Sequence, residues 1–158
     1  MTDLQELYQQ VILDHNHHPR NFGAIQNPDC EAEGYNPLCG DHYKVYCTLD
    51  GDKIKEIRFS GEGCAISKSS ASIMTEILQG RSKEEVLRIL DAFQKMIKGE
   101  ELKEEDEEIL DKAAVLAGVK DYPMRVKCAT LAWHTLKAAL EAFEKKEKTV
   151  PVISTDKE

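Results

Sequence analysis

The stretch "DHYKVYCTLDGDKIKEIRFSG", residues 41–61, constrains the fold more than any other. Tyr43, Val45, Cys47 and Leu49 alternate onto one face, which predicts a half-buried strand. Asp50-Gly51 is a two-residue hairpin signal, and the residues after it read as the return strand. The two strands are therefore antiparallel neighbours with no crossover helix between them. After Gly63 the period changes. Residues 64–78, "CAISKSSASIMTEIL", read as a helix with Gly80 just past its end. Ser82 and Glu85 form a capping box for a helix from Lys83 to about Lys98, which Gly99 stops. Ile109, Leu110, Ala113, Leu116 and Ala117 are again at helical spacing, and Gly118 and Pro123 interrupt. A last helix over about 125–145 carries Val126, Ala129, Trp133, Leu136, Leu140 and Phe143 on one stripe. Before the hairpin, residues 3–14 predict an amphipathic helix on Leu4, Leu7, Tyr8, Val11 and Ile12. Cys30 to Tyr35 is a short extended segment that Asn36-Pro37 ends. The expectation is an α+β domain: a small antiparallel sheet of about three strands packed against about five helices. It spans residues 1–146, with a flexible tail over 147–158.

The chain has 158 residues, enough for one domain with a real core and no disulfide staples. The start lacks the basic region, apolar run and cleavage site of a signal peptide, and no apolar run reaches membrane-span length. These features point to the cytoplasm, where thiols stay reduced, and away from a membrane. Residues 100–111, "EELKEEDEEILD", hold eight acids against one lysine and carry nearly all of the net charge of −8. A nucleic-acid partner needs a basic footprint, and none is present. The acidic run itself reads as a solvated helix face.

The five cysteines are Cys30, Cys39, Cys47, Cys64 and Cys128. An odd count without a secretion signal argues for metal or thiol chemistry over a disulfide framework. Cys64 and Cys128 fall at predicted helix starts, Cys128 in the first turn of the last helix. Free N–H groups and the macrodipole favour a thiolate there. Cys39 lies instead on a loop between Pro37 and Gly40, with Asp41 two residues on. Together Cys39, Asp41, Cys64 and Cys128 form an S3O donor set, suited to tetrahedral zinc or an iron–sulfur cluster. The spacing is also compatible with three separate, partly buried thiols. Cys30 and Cys47 read as structural, with Cys47 on the apolar face of its strand. His42 competes with Asp41 as a fourth ligand. His15, His17 and His18 read as solvated residues at a helix C-terminus, and His134 points away from Cys128. "GEGCAI" is compared with G-x-G-x-x-G, but Ile66 stands at the third glycine position and the strands are antiparallel.

The motifs "NPLCGD", "FSGEGCAISKSSASIM" and "RVKCATLAWHTL" resemble the three cysteine motifs of the IscU/NifU-N family of iron–sulfur cluster assembly proteins. The similarity runs from about Leu4 to Phe143. Three departures separate the chain from IscU-type scaffolds. Lys127 stands where they have His before the third cysteine. "DYPMRVK" stands where they carry the chaperone-binding "LPPVK". An acidic helical segment, about 93–116, is inserted. These traits resemble the SufU-type branch. The resemblance implies Cys39, Asp41, Cys64 and Cys128 as zinc ligands and Cys39 as the sulfur acceptor, with Arg125 and Lys127 as electrostatic support. It implies a cysteine desulfurase of the SufS type as donor and a downstream SUF scaffold as receiver. The alternative within the family is a scaffold that builds a [2Fe–2S] cluster on the same residues. Nothing in the sequence fixes an oligomeric state.

Overall fold

Alternation, turn and caps do in the structure what they predict. The computed structural model describes residues 3–155. Helix α1 (Asp3–His17) leads into β1 (Cys30–Asn36), β2 (Asp41–Asp50) and β3 (Lys53–Glu62). The β2–β3 ladder is antiparallel from His42↔Glu62 to Asp50↔Lys53, with an irregularity at Thr48/Leu49. Tyr43, Val45 and Cys47 are buried, as alternation requires, and Ile54, Ile57 and Phe59 of β3 join them. Helix α2 (Ala65–Leu78) follows, then α3 (Lys83–Ile97), whose capping box between Ser82 and Glu85 is complete. Helix α4 (Glu104–Leu110) runs into a 3₁₀ stretch (Asp111–Val119), and α5 (Pro123–Glu144) completes the helices. The break between α4 and the 3₁₀ stretch sits at Asp111, whose φ of 50° is outside helical space.

The antiparallel three-strand sheet is extended by a fourth strand. Residues 147–158 are expected to be loose, yet β4 (Val152–Ser154) pairs parallel with β1, giving the order β3-β2-β1-β4. The physical reason is an edge: without β4 the outer side of β1 leaves unpaired backbone groups. Glu33 N–H, for example, donates to Pro151 O at 2.9 Å. Residues 156–158 of the expected tail lie outside the described residues, as does the side chain of Leu4.

The core lies between the sheet and helices α2 and α5. Trp133 of α5 stacks on Phe93 of α3 with centroids 3.8 Å apart, and its indole N–H donates to Ser70 Oγ at 2.9 Å. Phe143, expected on the buried stripe of α5, is 41% exposed and lies under the Lys83 ammonium instead. The stretch read as an insertion is split. Phe93, Met96, Ile97, Leu110, Ala113 and Leu116 are buried, whereas the acids between them face solvent. No helix among the described residues is long and apolar enough to cross a membrane.

Candidate metal centre

One end of the sheet gathers the polar residues that the core excludes. β1 ends at Asn36 and β2 begins at its register partner Asp41. The intervening turn is closed by Gly40 N–H donating to Asn36 O at 2.9 Å, with Gly40 at φ 74°. This leaves Cys39 exposed at the tip while Asp41 is buried to 1% exposure.

A buried carboxylate requires donors, and Asp41 has three. Its Oδ1 accepts from Cys64 N–H at 2.9 Å and from the Ser67 hydroxyl at 3.1 Å. Its Oδ2 accepts from Asn36 Nδ2 at 3.1 Å. Gly63 makes the approach feasible, because a Cβ there would overlap Asp41, Ser67 and Tyr43. Ser67 also hydrogen-bonds Tyr43, whose phenol burial pushes up out of reach of ionisation.

Cys64 is the N-cap of α2, and its sulfur accepts from Ser67 N–H at 3.4 Å. The thiol of Cys128, donating to it, pulls the Cys64 pKa down to about 6, helped by Ser67 and opposed by burial. Cys128 is pushed the opposite way by the same hydrogen bond and by its burial. The two thiols titrate together as a pair, with Cys64 shifted down and Cys128 shifted up. This corrects the expectation for Cys128. Because Pro123 sits at N1 and starts α5 early, Cys128 lies in the second turn, where its N–H is already used within the helix. The activating helix start acts on Cys64 alone.

Cys128 Sγ lies 3.3 Å from Cys39 Sγ, and Asn36 Nδ2 donates to it at 3.4 Å. Donor atoms of Cys39, Asp41 and Cys128 all fall within 4.8 Å of one another. Two soft sulfurs and a hydrogen-bonded carboxylate at that spacing fit a tetrahedral zinc ion. Cys64 stands outside this tight group, tied to it through its thiol contact with Cys128 and its N–H bond to Asp41.

The other sequence candidates fall elsewhere. His42 follows Asp41 on the opposite face of β2, stacked on Tyr35 and bonded to Glu33, so it does not compete as a ligand. Arg125 is exposed, with its guanidinium over the Tyr122 ring and a hydrogen bond to Tyr8. Lys127 is half-buried near Cys128. Cys30 and Cys47 are buried register partners whose thiols bond each other, which keeps them in the core. His15 departs from expectation: it is 4% exposed, and its Nδ1 meets Ser72 Oγ at 2.7 Å. Sequence reasoning missed Asn36, taken only as the end of a strand, and Ser67, hidden in a serine-rich helix. Asn36-Pro37 directly before the thiol loop was the available signal for the first.

The model for the NifU-like N-terminal domain matches residues 7–129, which include Cys39, Asp41, Cys64 and Cys128. The chain belongs to the NifU-N/IscU family. It is 42% identical over 144 residues to the zinc-dependent sulfurtransferase SufU of Bacillus subtilis, covering 90% of this chain and 95% of that protein. It is 40% identical over 141 residues to the iron–sulfur cluster assembly scaffold protein IscU of Streptococcus pyogenes, covering 89% and 87%. Among solved structures, a SUF-system assembly scaffold protein of Fervidobacterium islandicum superimposes with a TM-score of 0.79. It is 38% identical and covers 86% of this chain and 98% of that one. The SufU-type resemblance and the α+β architecture of the NifU-N/IscU family therefore hold over most of the chain.

Proposed function

We propose that this NifU-N/IscU family member is a zinc-dependent sulfur carrier in iron–sulfur cluster assembly. It accepts sulfur from a cysteine desulfurase of the SufS type and delivers it to a downstream SUF scaffold. The observation that carries this reading is the contrast within one group of donors. Cys39 is exposed on a turn, while Asp41 and Cys128 beside it are buried and hydrogen-bonded. A group that must meet a partner's active site has to be the accessible and least-anchored one.

Cys39, Asp41, Cys64 and Cys128 would hold the metal. Zinc supplies a charge that keeps thiolates deprotonated without changing oxidation state. The Cys39 thiolate attacks the terminal sulfur of the desulfurase persulfide. A new S–S bond forms on Cys39, the persulfide S–S bond breaks, and the desulfurase cysteine leaves as a thiolate with no net oxidation. Lys127, next to Cys128 in the chain, and Arg125, one turn earlier on Tyr122, would be the cations available to an anionic persulfide.

The test is incubation with a pyridoxal-phosphate-dependent cysteine desulfurase and sulfur-labelled cysteine, followed by mapping of the persulfide. Label on Cys39 is expected. Label on Cys64 or Cys128 instead, or none, overturns the reading. The IscU-named relative favours the other function of this family, a scaffold for a [2Fe–2S] cluster. Protein purified without oxygen separates the two: colourless with zinc for the carrier, brown with iron and sulfide for the scaffold.

A further inference from the structure

We propose that Thr155, beyond the region shared with the family model, is a positioning residue for the metal centre and acts through Asn36. The register of β4 against β1 carries the inference. Glu33 pairs with Val152, Gly34 with Ile153 and Tyr35 with Ser154, so the next step along both strands sets Thr155 beside Asn36. There the Thr155 hydroxyl donates to Asn36 Oδ1 at 3.0 Å. Both residues are fully buried. The other end of the same amide donates to Asp41 Oδ2 and Cys128 Sγ. One side chain thus spans from the end of β4 to two of the four residues read above as ligands, and the inference rests on that reading.

The chemistry fixes the direction of this chain of bonds. The Asp41 carboxylate can only accept, and the Cys128 sulfur takes an N–H on a lone pair, so the amide turns its NH₂ toward them. Its oxygen is then left in a dry site, where an unmet acceptor is costly, and Thr155 supplies the donor. With both ends satisfied, Asn36 holds its N–H groups on both side chains at once. Partners of this kind orient ligands and raise metal affinity, and their loss typically costs about 10–100-fold. Gly34 lets α5 pack closely on β1 beside β4, since a Cβ there would overlap Thr135 and press on Leu131. The family model ends at residue 129, so β4 and Thr155 lie outside the matched region.

The test uses the full chain with Thr155→Val, which keeps the shape and removes the hydroxyl, and Thr155→Ser, which restores it. Zinc affinity is measured against a competing chelator. In the metal-free protein, the Asn36 side-chain amide is followed by nuclear magnetic resonance. Thr155→Val should fold, lose about tenfold in zinc affinity, and show Asn36 amide protons that move and exchange faster. Thr155→Ser should recover both. A folded Thr155→Val with native zinc affinity, or with unchanged Asn36 amide signals, overturns the proposal. Should valine prevent folding, Thr155→Ala is read the same way. If the native protein binds no zinc, the ligand reading fails, and the metal-free amide signals still decide the role of Thr155.

Discussion

Asp41 is the residue on which most of the site converges, and it does two things. In the proposed site it offers an oxygen to the metal, and it terminates hydrogen bonds from Cys64 N–H, Ser67 and Asn36. Asp41→Ala should therefore cost stability in the metal-free protein as well as zinc affinity. Several buried donors lose their acceptor, so the loss should be on the order of 3 kcal/mol. Chemical denaturation of the chelated variant measures it. A metal-free stability equal to the native one would show that Asp41 serves the metal alone. Asp41→Cys should tighten zinc by adding a sulfur, while suffering a similar metal-free destabilisation. Half-buried Cys64 and buried Cys128 give a second prediction. In the metal-free protein Cys64 should be alkylated with a midpoint near pH 6, where its pKa lies. Cys128, protonated and buried, should stay unmodified at neutral pH. Iodoacetamide labelling with mass mapping reads this. Joint labelling with an ordinary thiol midpoint of about 8.5 would refute it.

At the scale of elements, α1 docks on α2 through a titratable contact. His15 is buried against Ser72, and its pKa is lowered chiefly by burial. Arg20 and Lys112 add to the shift, and Glu76 and Asp14 oppose it. The folded state therefore binds fewer protons than the unfolded one. The contribution of His15 is fully present above the ordinary value of 6.5 and is lost as pH falls through the lowered folded value. Protection of α1 amides, after correction for the intrinsic pH dependence of exchange, should weaken as pH falls below about 6.5, and His15→Gln should flatten that dependence. Protection in α1 that ignores pH would refute the contact as a stabiliser. Elements that announce themselves through local chemistry were legible in the sequence. The Asp50-Gly51 hairpin, the alternation of Tyr43, Val45 and Cys47, and the Ser82–Glu85 box each act within a few residues. Elements defined by a distant partner were not. β4 is three residues long, parallel, and made by the free edge of β1. Pro123 reads equally as an interruption or as a helix's first residue, and only packing chooses. The thiols at the site were legible as residues, while Ser67 and Thr155 were not, because a buried hydroxyl carries no pattern of its own.

For the whole molecule, the insertion separates into a solvated part and a structural part. Replacing residues 100–108 with a neutral linker that keeps Leu102, which packs against the core, should change stability by only about 0.5 kcal/mol, since the six glutamates there are exposed and Arg88–Asp106 is a lone pair at the surface edge. Phe93→Ala, which removes the ring stacked on Trp133, should cost about 3–5 kcal/mol. Thermal unfolding of both variants compares them directly. A cooperative transition lost in the linker variant would place the acidic run in the core. The apolar core joins every helix from α1 to α5 with strands β1, β2 and β3 and includes none of the four proposed ligands. Stripping metal with a chelator should therefore leave one cooperative transition at a lower midpoint, with the difference set by metal concentration. That arrangement bears on how the chain is made. Cys39 and Cys128, whose sulfurs touch, are separated by 89 positions. At about 5–20 residues per second, a ribosome needs about 4–18 s to pass from one to the other. During that interval the nascent chain presents Cys39, and then Cys64, without the Cys128 that completes the proposed ligand set. On the proposed reading, metal joins a domain whose apolar core stands without it, and each newly made molecule begins life with its reactive thiols unguarded.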